Sequence, residues 1–425
     1  MGILLRNVLA VTGESTTTVD LRVDGETIST VSTERLSARP DETIINGEGK
    51  LAIPGFVNAH THLPMSLFRG LAEEIPLNRW LEDHIWPRER NLKPEEVYWG
   101  ALLGLAEMIR SGITLCADMY FQTDEIGRAV EEAGLRAILS CGIIAERLDA
   151  HGKAELDKAA EAIARWEGAA GGRITTAVSP HAIYTCGEEI WHAAIELAAD
   201  HKIPLHTHLC ETQGEADWSQ KNLGMSPIAF LSQIGVFSVP VLAAHCVHVG
   251  NEDIRLLAEG TATVVHCPKS NSKLGSGISP IVALRDAGVN VALGTDGAAT
   301  NNSLDMFEEM RMAALLAKGC SCDPTVLPAR SVVKMATENG ANGLGIGTGR
   351  LAAGEPADIV LVDLDSIRTL PAYEPFSALV YAAHAQDVTD VIVAGRFLLR
   401  QGELLAIDEE RVRHEVKKLV NRQAN

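Results

Sequence analysis

The chain has 425 residues, and 37 Lys and Arg stand against 56 Asp and Glu, a formal charge of −19 with histidine neutral. Hydrophobic residues at 46% and charged residues at 22% exclude wholesale disorder; the length suits two or three domains, or one large α/β barrel with additions. The acidic balance excludes nucleic acid as the main partner, because phosphate binding needs a basic face, and leaves small molecules open.

The chain opens MGILLRNVLAVTG, with one Arg and no apolar core ahead of a small-residue cleavage site, so no signal peptide is expected. No apolar run reaches the ~20 residues of a membrane span. Eight cysteines in so long a chain do not make a disulfide framework, and the expectation is a reduced, cytoplasmic protein with no membrane partner. Residues 1–50 alternate short strand patterns with turns and read as a small β unit. Strand–helix alternation follows. The predicted strands are Ile53–Val57, Ile113–Ala117, Ala137–Ser140, Ile174–Val178, Pro204–His208, Val241–Ala244, Ala262–Val265 and Val289–Leu293. Between them, helical spacing marks Tyr98–Arg110, Glu125–Glu132, Ala154–Trp166, Glu188–Asp200, Pro227–Gln233, Asp253–Ala258 and Pro280–Ala287; Leu304–Ala317 and Ala329–Asn342 follow the last strand. Gly112, Gly134, Gly235, Gly260 and Gly288 sit where a left-handed helix stop is useful. Eight strands alternating with helices predict a (β/α)₈ TIM-like barrel. From about Gly349 strand patterns return, and each chain end is too small to hold a core alone. The expected layout is therefore an N-terminal β part over 1–52, a barrel over 53–348 and a C-terminal β part over 349–425, the two ends packing as one flanking β-sandwich domain. Glu409–Val420 reads as a charged closing helix.

In such a barrel the reactive groups lie at the C-terminal strand ends. Eight of the fourteen histidines fall there: His60, His62, His181, His206, His208, His245, His248 and His266. His-x-His on a strand puts both rings on one face, because side chains repeat every two residues. His60 and His62 from strand one, His208 from strand five and Asp296 from strand eight supply three nitrogens and one oxygen. That donor set suits one Zn²⁺ or Fe²⁺ with a position left open for water; Mn²⁺ shares the same ligands. Glu211 follows a ligand by three residues. His206, His248 and His266 read as structural or as supports of the ligands.

The stretches PGFVNAHTHLPM, HTHLCET, AAHCVH, HCPKSNSKLGSG and LGTDGAATNNSLD together resemble the amidohydrolase superfamily, in its cytosine-deaminase-like branch. LFRGLAEEIPLNRWLEDHIWPRE is similar to the 5′-methylthioadenosine/S-adenosylhomocysteine deaminase family within it. The resemblance covers essentially the whole chain. It implies a metal held by His60, His62, His208 and Asp296, Glu211 as proton shuttle, and His245 positioning the water. It implies Glu89 on ribose hydroxyls, His181 on purine or sugar, and Trp80 lining the pocket. Members with two metals carry a bridging Lys or Glu at an inner strand end; Thr176-Ala177-Val178-Ser179 has neither, so one metal is expected. Members that accept S-adenosylhomocysteine can carry Arg at the tip of strand three, where this chain reads Leu139-Ser140-Cys141-Gly142-Ile143. A neutral Cys141 cannot pair with a carboxylate as Arg does, which leaves Arg147 or Lys153 to substitute. The expected reaction is hydrolytic deamination of 5′-methylthioadenosine, with S-adenosylhomocysteine and adenosine as further candidates. Deamination of another base and s-triazine chlorohydrolysis on the same metal site are the alternatives; a metal-free scaffold is disfavoured because the ligand set is intact. Thr300 and Ser303 are further candidates to touch substrate. The long loop after strand one could reach a second copy, so a homo-oligomer stays open.

Overall fold

A computed structural model describes residues 2–423. The strands are taken in chain order. β1 (Gly2–Thr12), β2 (Ser15–Asp24), β3 (Thr27–Ser32), β4 (Glu42–Asn46) and β5 (Lys50–Pro54) come from the N-terminal end. β6 (Phe56–Thr61), β7 (Ile113–Tyr120), β8 (Arg136–Ile143), β9 (Ile174–Pro180), β10 (Leu205–Leu209), β11 (Val241–His245), β12 (Ala262–His266) and β13 (Asn290–Leu293) form the barrel. β14 (Ile359–Asp363), β15 (Val388–Val393), β16 (Arg396–Arg400) and β17 (Glu403–Leu404) come from the C-terminal end.

The eight central strands pair in sequence order, each parallel to the next. Side chains close the remaining seam. Asn58 of β6 accepts the Thr295 N–H at 2.9 Å and donates to the Thr295 hydroxyl at 2.7 Å, and the Asp296 N–H donates to the His60 carbonyl at 3.0 Å. Val57, Leu115, Ile138, Ala177, Leu242 and Ala292, from six different strands, meet in one buried cluster that also takes in Ala341 and Leu344. This is the barrel interior, filled by side chains as such barrels are. A larger cluster lies between the strands and the surrounding helices.

The two chain ends meet in one nine-stranded mixed sheet, ordered β17-β16-β15-β14-β5-β1-β2-β3 with β4 alongside β1. β5 is its joint: it runs parallel to β1 and antiparallel to β14. Asp358 ties this sheet to the barrel, with the Arg136 guanidinium 2.6 Å from its carboxylate and the Ala394 N–H donating to it at 2.8 Å.

Some expectations need correction. The single strand read at Ile53–Val57 is two strands, which part at Gly55. A Cβ at Gly55 would fall 2.0 Å from Thr114 Oγ1 and 2.6 Å from Thr114 Cβ, so only glycine lets the chain pass this close to β7. Gly260 does not take a left-handed stop; its φ is −91°, whereas Gly134 at +79° does. Helices begin earlier than apolar spacing indicates: Pro94–Arg110 and Ala150–Trp166 start in polar first turns, the second capped by Asp149. Ala329–Asn342 divides into Ala329–Met335 and Glu338–Gly343. The helix Gln213–Leu223 was not anticipated; its face is largely polar, with only Glu215 and Ser219 buried.

The Gly55 passage carries a direct test. Gly55→Ala must move the Thr114 backbone as well as its side chain, and overpacking of this kind costs about 1–3 kcal/mol. Its thermal midpoint is expected to fall clearly below that of the wild type, by calorimetry.

Candidate active site

The barrel strands deliver the predicted residues to one end. β6 carries His60 and leads into His62 one residue past its end, but not by simple alternation. The register of β6 against β7 shifts between Asn58 and Thr61. Val57 and Ala59 belong to the interior cluster, yet the His60 ring packs edge-on against those of His206 and His208 of β10. A bulge of this kind re-aims a side chain, and here it turns both histidines toward the barrel mouth.

Each candidate histidine ligand has its Nδ1 occupied and its Nε2 turned to the shared centre. His62 Nδ1 donates to the Met119 carbonyl at 2.5 Å, and His208 Nδ1 donates to the His181 carbonyl at 3.0 Å. The His60 Nδ1 is 2.8 Å from His206 Nε2. His206 Nδ1 lies 3.4 Å from the Ser140 hydroxyl, which donates to the Asp118 carbonyl at 2.8 Å. Protons ordered along this chain leave His60 Nε2 as a lone pair, and that atom is buried with no hydrogen-bond partner among the described residues. The Asp296 Oδ2 accepts from the hydroxyls of Ser270 at 2.6 Å and Thr300 at 2.9 Å. Its Oδ1 lies 3.2 Å from His62 Nε2 and 3.7 Å from His60 Nε2, and the His62 and His208 Nε2 atoms are 3.3 Å apart. A tetrahedral site with bonds of ~2.0–2.1 Å spaces its donors roughly 3.3–3.4 Å apart. His60, His62 and His208 bring their ligand atoms within 4.8 Å of one another, a set that one divalent cation can bridge, and Asp296 stands beside it.

The electrostatics agree. Burial lowers the His62 imidazolium, but the hydrogen bond and charge of Asp296 outweigh it and raise the group to about 9. Burial would raise the Asp296 carboxyl; the hydrogen bond and charge of His62 instead hold it well below the carboxylate range. A cation at Nε2 takes the place of that proton. Burial keeps His60 and His208 neutral and lowers His206 to about 3.

Beside the ligands stand two proton-handling groups. His245 Nδ1 donates to Asn271 Oδ1 at 2.8 Å, which turns its bare Nε2 toward Glu211 Oε2, 3.9 Å away. Glu211 is 7% exposed, and burial pushes its carboxyl up. The pocket in front is lined by both groups together with Trp80, Glu89, His181 and Thr300. Trp80 and Glu89 arrive on a run of short helical turns over residues 77–89. Glu89 Oε1 is buried without a well-formed hydrogen bond among the described residues; burial raises its carboxyl, against the opposing effect of the Tyr120 hydroxyl beside it. His181 Nδ1 is 3.1 Å from the Thr185 hydroxyl, which donates to the Ala182 carbonyl at 3.1 Å, so Nδ1 is the donor and Nε2 the acceptor. Burial lowers this ring to about 4.

Other candidates fall outside the pocket. Arg147 lies in an adjoining recess with Asp149 and His151, which meets the pocket at Ile144 and Tyr184. Cys141 turns its thiol outward beside Glu155 and Lys158; Gly142 is the residue at this strand tip that faces the pocket. His248 Nε2 donates to the Ser276 carbonyl at 2.7 Å. Both ring nitrogens of His266 are buried without a partner among the described residues. Ser303 accepts from Lys269 Nζ at 2.7 Å and donates to Glu308. Tyr120 and Phe121 line the pocket and were missed, because β7 runs to Tyr120, three residues past the predicted end at Ala117.

A buried three-histidine, one-aspartate centre at a barrel mouth, with a raised carboxyl and an aimed imidazole beside it, defines a metal-dependent hydrolase. The chain belongs to the amidohydrolase family, whose sequence profile matches residues 51–398. It is 46% identical over 383 residues to a 5-methylthioadenosine/S-adenosylhomocysteine deaminase of Moorella thermoacetica, covering 90% of this chain and 89% of that one. It is 48% identical over 377 residues to a 5′-deoxyadenosine deaminase of Methanothermobacter thermautotrophicus, covering 89% and 88%. Its fold superposes on the crystal structure of an adenosine deaminase from Xanthomonas campestris with bound zinc at a TM-score of 0.94 and 36% identity, covering 99% and 98%. The activity class is hydrolytic deamination.

Two outcomes follow from these supports. His206→Ala removes the group that orients His60, and such second contacts are worth about 10–100-fold in metal affinity; chelator competition is expected to show that loss. Glu309 holds the Asp296 segment from behind: Asn301 donates to both the Thr295 carbonyl and the Glu309 carboxyl, each at 2.6 Å. Burial pushes the Glu309 carboxyl up from 4.5 to about 8. The folded protein therefore keeps a proton that the unfolded chain releases. This group favours folding fully below about pH 4.5 and loses its contribution as pH rises through about 8. Urea midpoints between about pH 5 and 9 should fall more steeply for the wild type than for Glu309→Gln, which has no proton to release.

Proposed function

We propose that the protein deaminates 5′-modified adenosines, with 5′-methylthioadenosine as the preferred substrate, and that Zn²⁺ is the resident metal. The observation that carries the reading is Glu89. Its buried oxygen faces the pocket beside the Tyr120 hydroxyl, without a well-formed hydrogen bond among the described residues, and it can accept from the hydroxyls that a ribose diol has and a free base or triazine lacks. The names of the relatives support an adenosine-type substrate. Gly142 in the pocket wall, with Cys141 turned away and Arg147 beyond Ile144, offers no clamp for an amino-acid carboxylate inside the pocket. This favours the methylthio over the homocysteinyl substituent. Met65, Leu81, Phe121 and Leu274 in the lining suit an apolar group.

His60, His62, His208 and Asp296 would hold the metal, which when bound supplies Lewis-acid activation of water near neutral pH. The residues of this chain do the rest. His245 Nε2 is bare because Nδ1 is committed to Asn271, so it can take a proton from the attacking water. The purine resists attack at C6 unless N1 carries a proton, and Glu211, raised by burial, delivers one there. The remaining hydroxyl proton of the attacking water passes through Asp296 or Glu211 to the departing amine, and the proton held by His245 restores Glu211. The C6–N bond breaks, ammonia leaves and the inosine analogue remains. His181 presents a neutral acceptor to the purine or sugar, and Trp80 packs the wall.

Ammonia release tests this directly, with zinc-loaded enzyme and a panel of adenosine, 5′-deoxyadenosine, 5′-methylthioadenosine, S-adenosylhomocysteine, adenine, guanine and cytosine. Nucleosides are expected to react and free bases to remain. Turnover of a free base alone would overturn the substrate assignment and leave the metal site standing. Glu89→Gln is expected to lose about 10²-fold in kcat/KM on nucleosides, on the order of 3 kcal/mol. Removing the metal with a chelator should abolish turnover, and back-titration with Zn²⁺, Fe²⁺ and Mn²⁺ in turn ranks the ions.

A further inference from the structure

Glu215 is a buried carboxylate that the reaction above does not use. It is 3% exposed and sits in the first turn of the helix Gln213–Leu223. Both of its oxygens are committed. The Cys210 N–H donates to one and the Glu211 N–H to the other, each at 2.9 Å. The helix itself is capped by Thr212, whose hydroxyl accepts the Glu215 N–H at 3.2 Å. In an ordinary capping box the acidic residue three positions on returns to the N–H of the cap residue. Here the carboxylate passes Thr212 and takes the two residues before it. Capping the helix does not account for that reach.

The two residues it grips matter. Cys210 has a φ of +52°, the left-handed region that a residue with a side chain rarely enters unaided. This bend follows the ligand strand β10 and turns the Glu211 side chain back toward the pocket. The same bend braces the neighbouring strand tip. The Cys210 carbonyl accepts the N–H groups of Val247 and His248, each at 2.9 Å, and the Leu209 carbonyl accepts that of Cys246 at 2.9 Å. His245 and Cys246 are themselves left-handed, at φ +76° and +45°.

We propose that Glu215 is a positioning residue for deamination: by clamping the backbone N–H groups of Cys210 and Glu211, it aims the Glu211 carboxyl at the reacting ring and holds its distance to His245. This rests on Glu211 as the proton shuttle. Misplacing a catalytic group by about 1 Å can cost 10²-fold, so the clamp acts on rate more than on binding.

The test compares zinc-loaded wild type with Glu215→Gln, Glu211→Gln and the double variant, on 5′-methylthioadenosine and adenosine. Glu215→Gln keeps the shape and one acceptor oxygen, so the fold survives while one N–H loses its partner. Its kcat is expected to fall about 10–100-fold, with KM changed less than about threefold and zinc still one per chain. The double variant is expected to be no slower than Glu211→Gln, because a missing shuttle cannot be aimed. Wild-type kcat in Glu215→Gln beside an inactive Glu211→Gln would overturn the clamp alone. Loss of zinc and rise of KM in step with kcat would also overturn it, as would multiplicative losses in the double variant. Full activity in Glu211→Gln would overturn the shuttle itself, and the clamp with it.

Discussion

One joint does two jobs in this molecule. The first and last barrel strands are closed by Asn58 against Thr295 and by the Asp296 N–H against the His60 carbonyl. Those contacts span more than two hundred residues of sequence, and they are what make eight strands a barrel rather than an open sheet. They also set Asp296 beside His60 and His62, so these three candidate ligands meet only when the barrel shuts. A cation bridging the two edges would stabilise the closed form by mass action.

The site is assembled under strain. Cys210, His245, Cys246 and Asp296, all at or just past strand tips, adopt left-handed backbone. Such conformations cost of order 1–3 kcal/mol each and persist where their surroundings over-determine them. Here the surroundings are visible. Thr61 and Thr295 hydroxyls donate to the Asp296 carbonyl at 3.0 and 2.9 Å, and Ser279 donates to the Cys246 carbonyl at 2.7 Å. The parallel strands carry His60 and His208, and the strained backbone at and beyond the strand tips places Glu211, His245 and Asp296 at the pocket.

Around this centre the barrel separates two kinds of buried polarity. The ligands and Glu211 face the pocket, where a metal or a substrate meets their unfilled hydrogen-bonding capacity. Glu309 and His206 face away from it and meet only protein, which is why they orient neighbours rather than react. The wall of the pocket is mostly apolar, and a small number of polar groups, Glu89, His181, Glu211 and His245 among them, is what can fix the orientation of a bound ligand.

The ligand types, their strand-end positions and the eight-fold alternation were legible in the sequence, because each depends on spacing within a few residues. The period-2 rule could not show the bulge in β6, since a bulge is a mismatch between two strands and needs both. Nor could it show that Cys141 turns out and Gly142 in, or that Arg147 stands beyond Ile144. The polar helix that carries Glu215 escaped detection because it buries no apolar stripe, although Thr212-Gln213-Gly214-Glu215 is a capping-box spacing.

The sequence by itself determined the chemistry this chain can hold: three histidines and an aspartate as candidate donors, a nearby glutamate and a net charge of −19. Residue identity decides those, and folding does not change it. Tertiary structure alone decided which atoms are free to react. Which histidine nitrogen carries the lone pair is set by what occupies the other, and the occupants come from elsewhere: His206 for His60, 146 residues away, Met119 for His62, His181 for His208 and Asn271 for His245. Proton placement is a property of neighbours in space, and only the closed barrel supplies them.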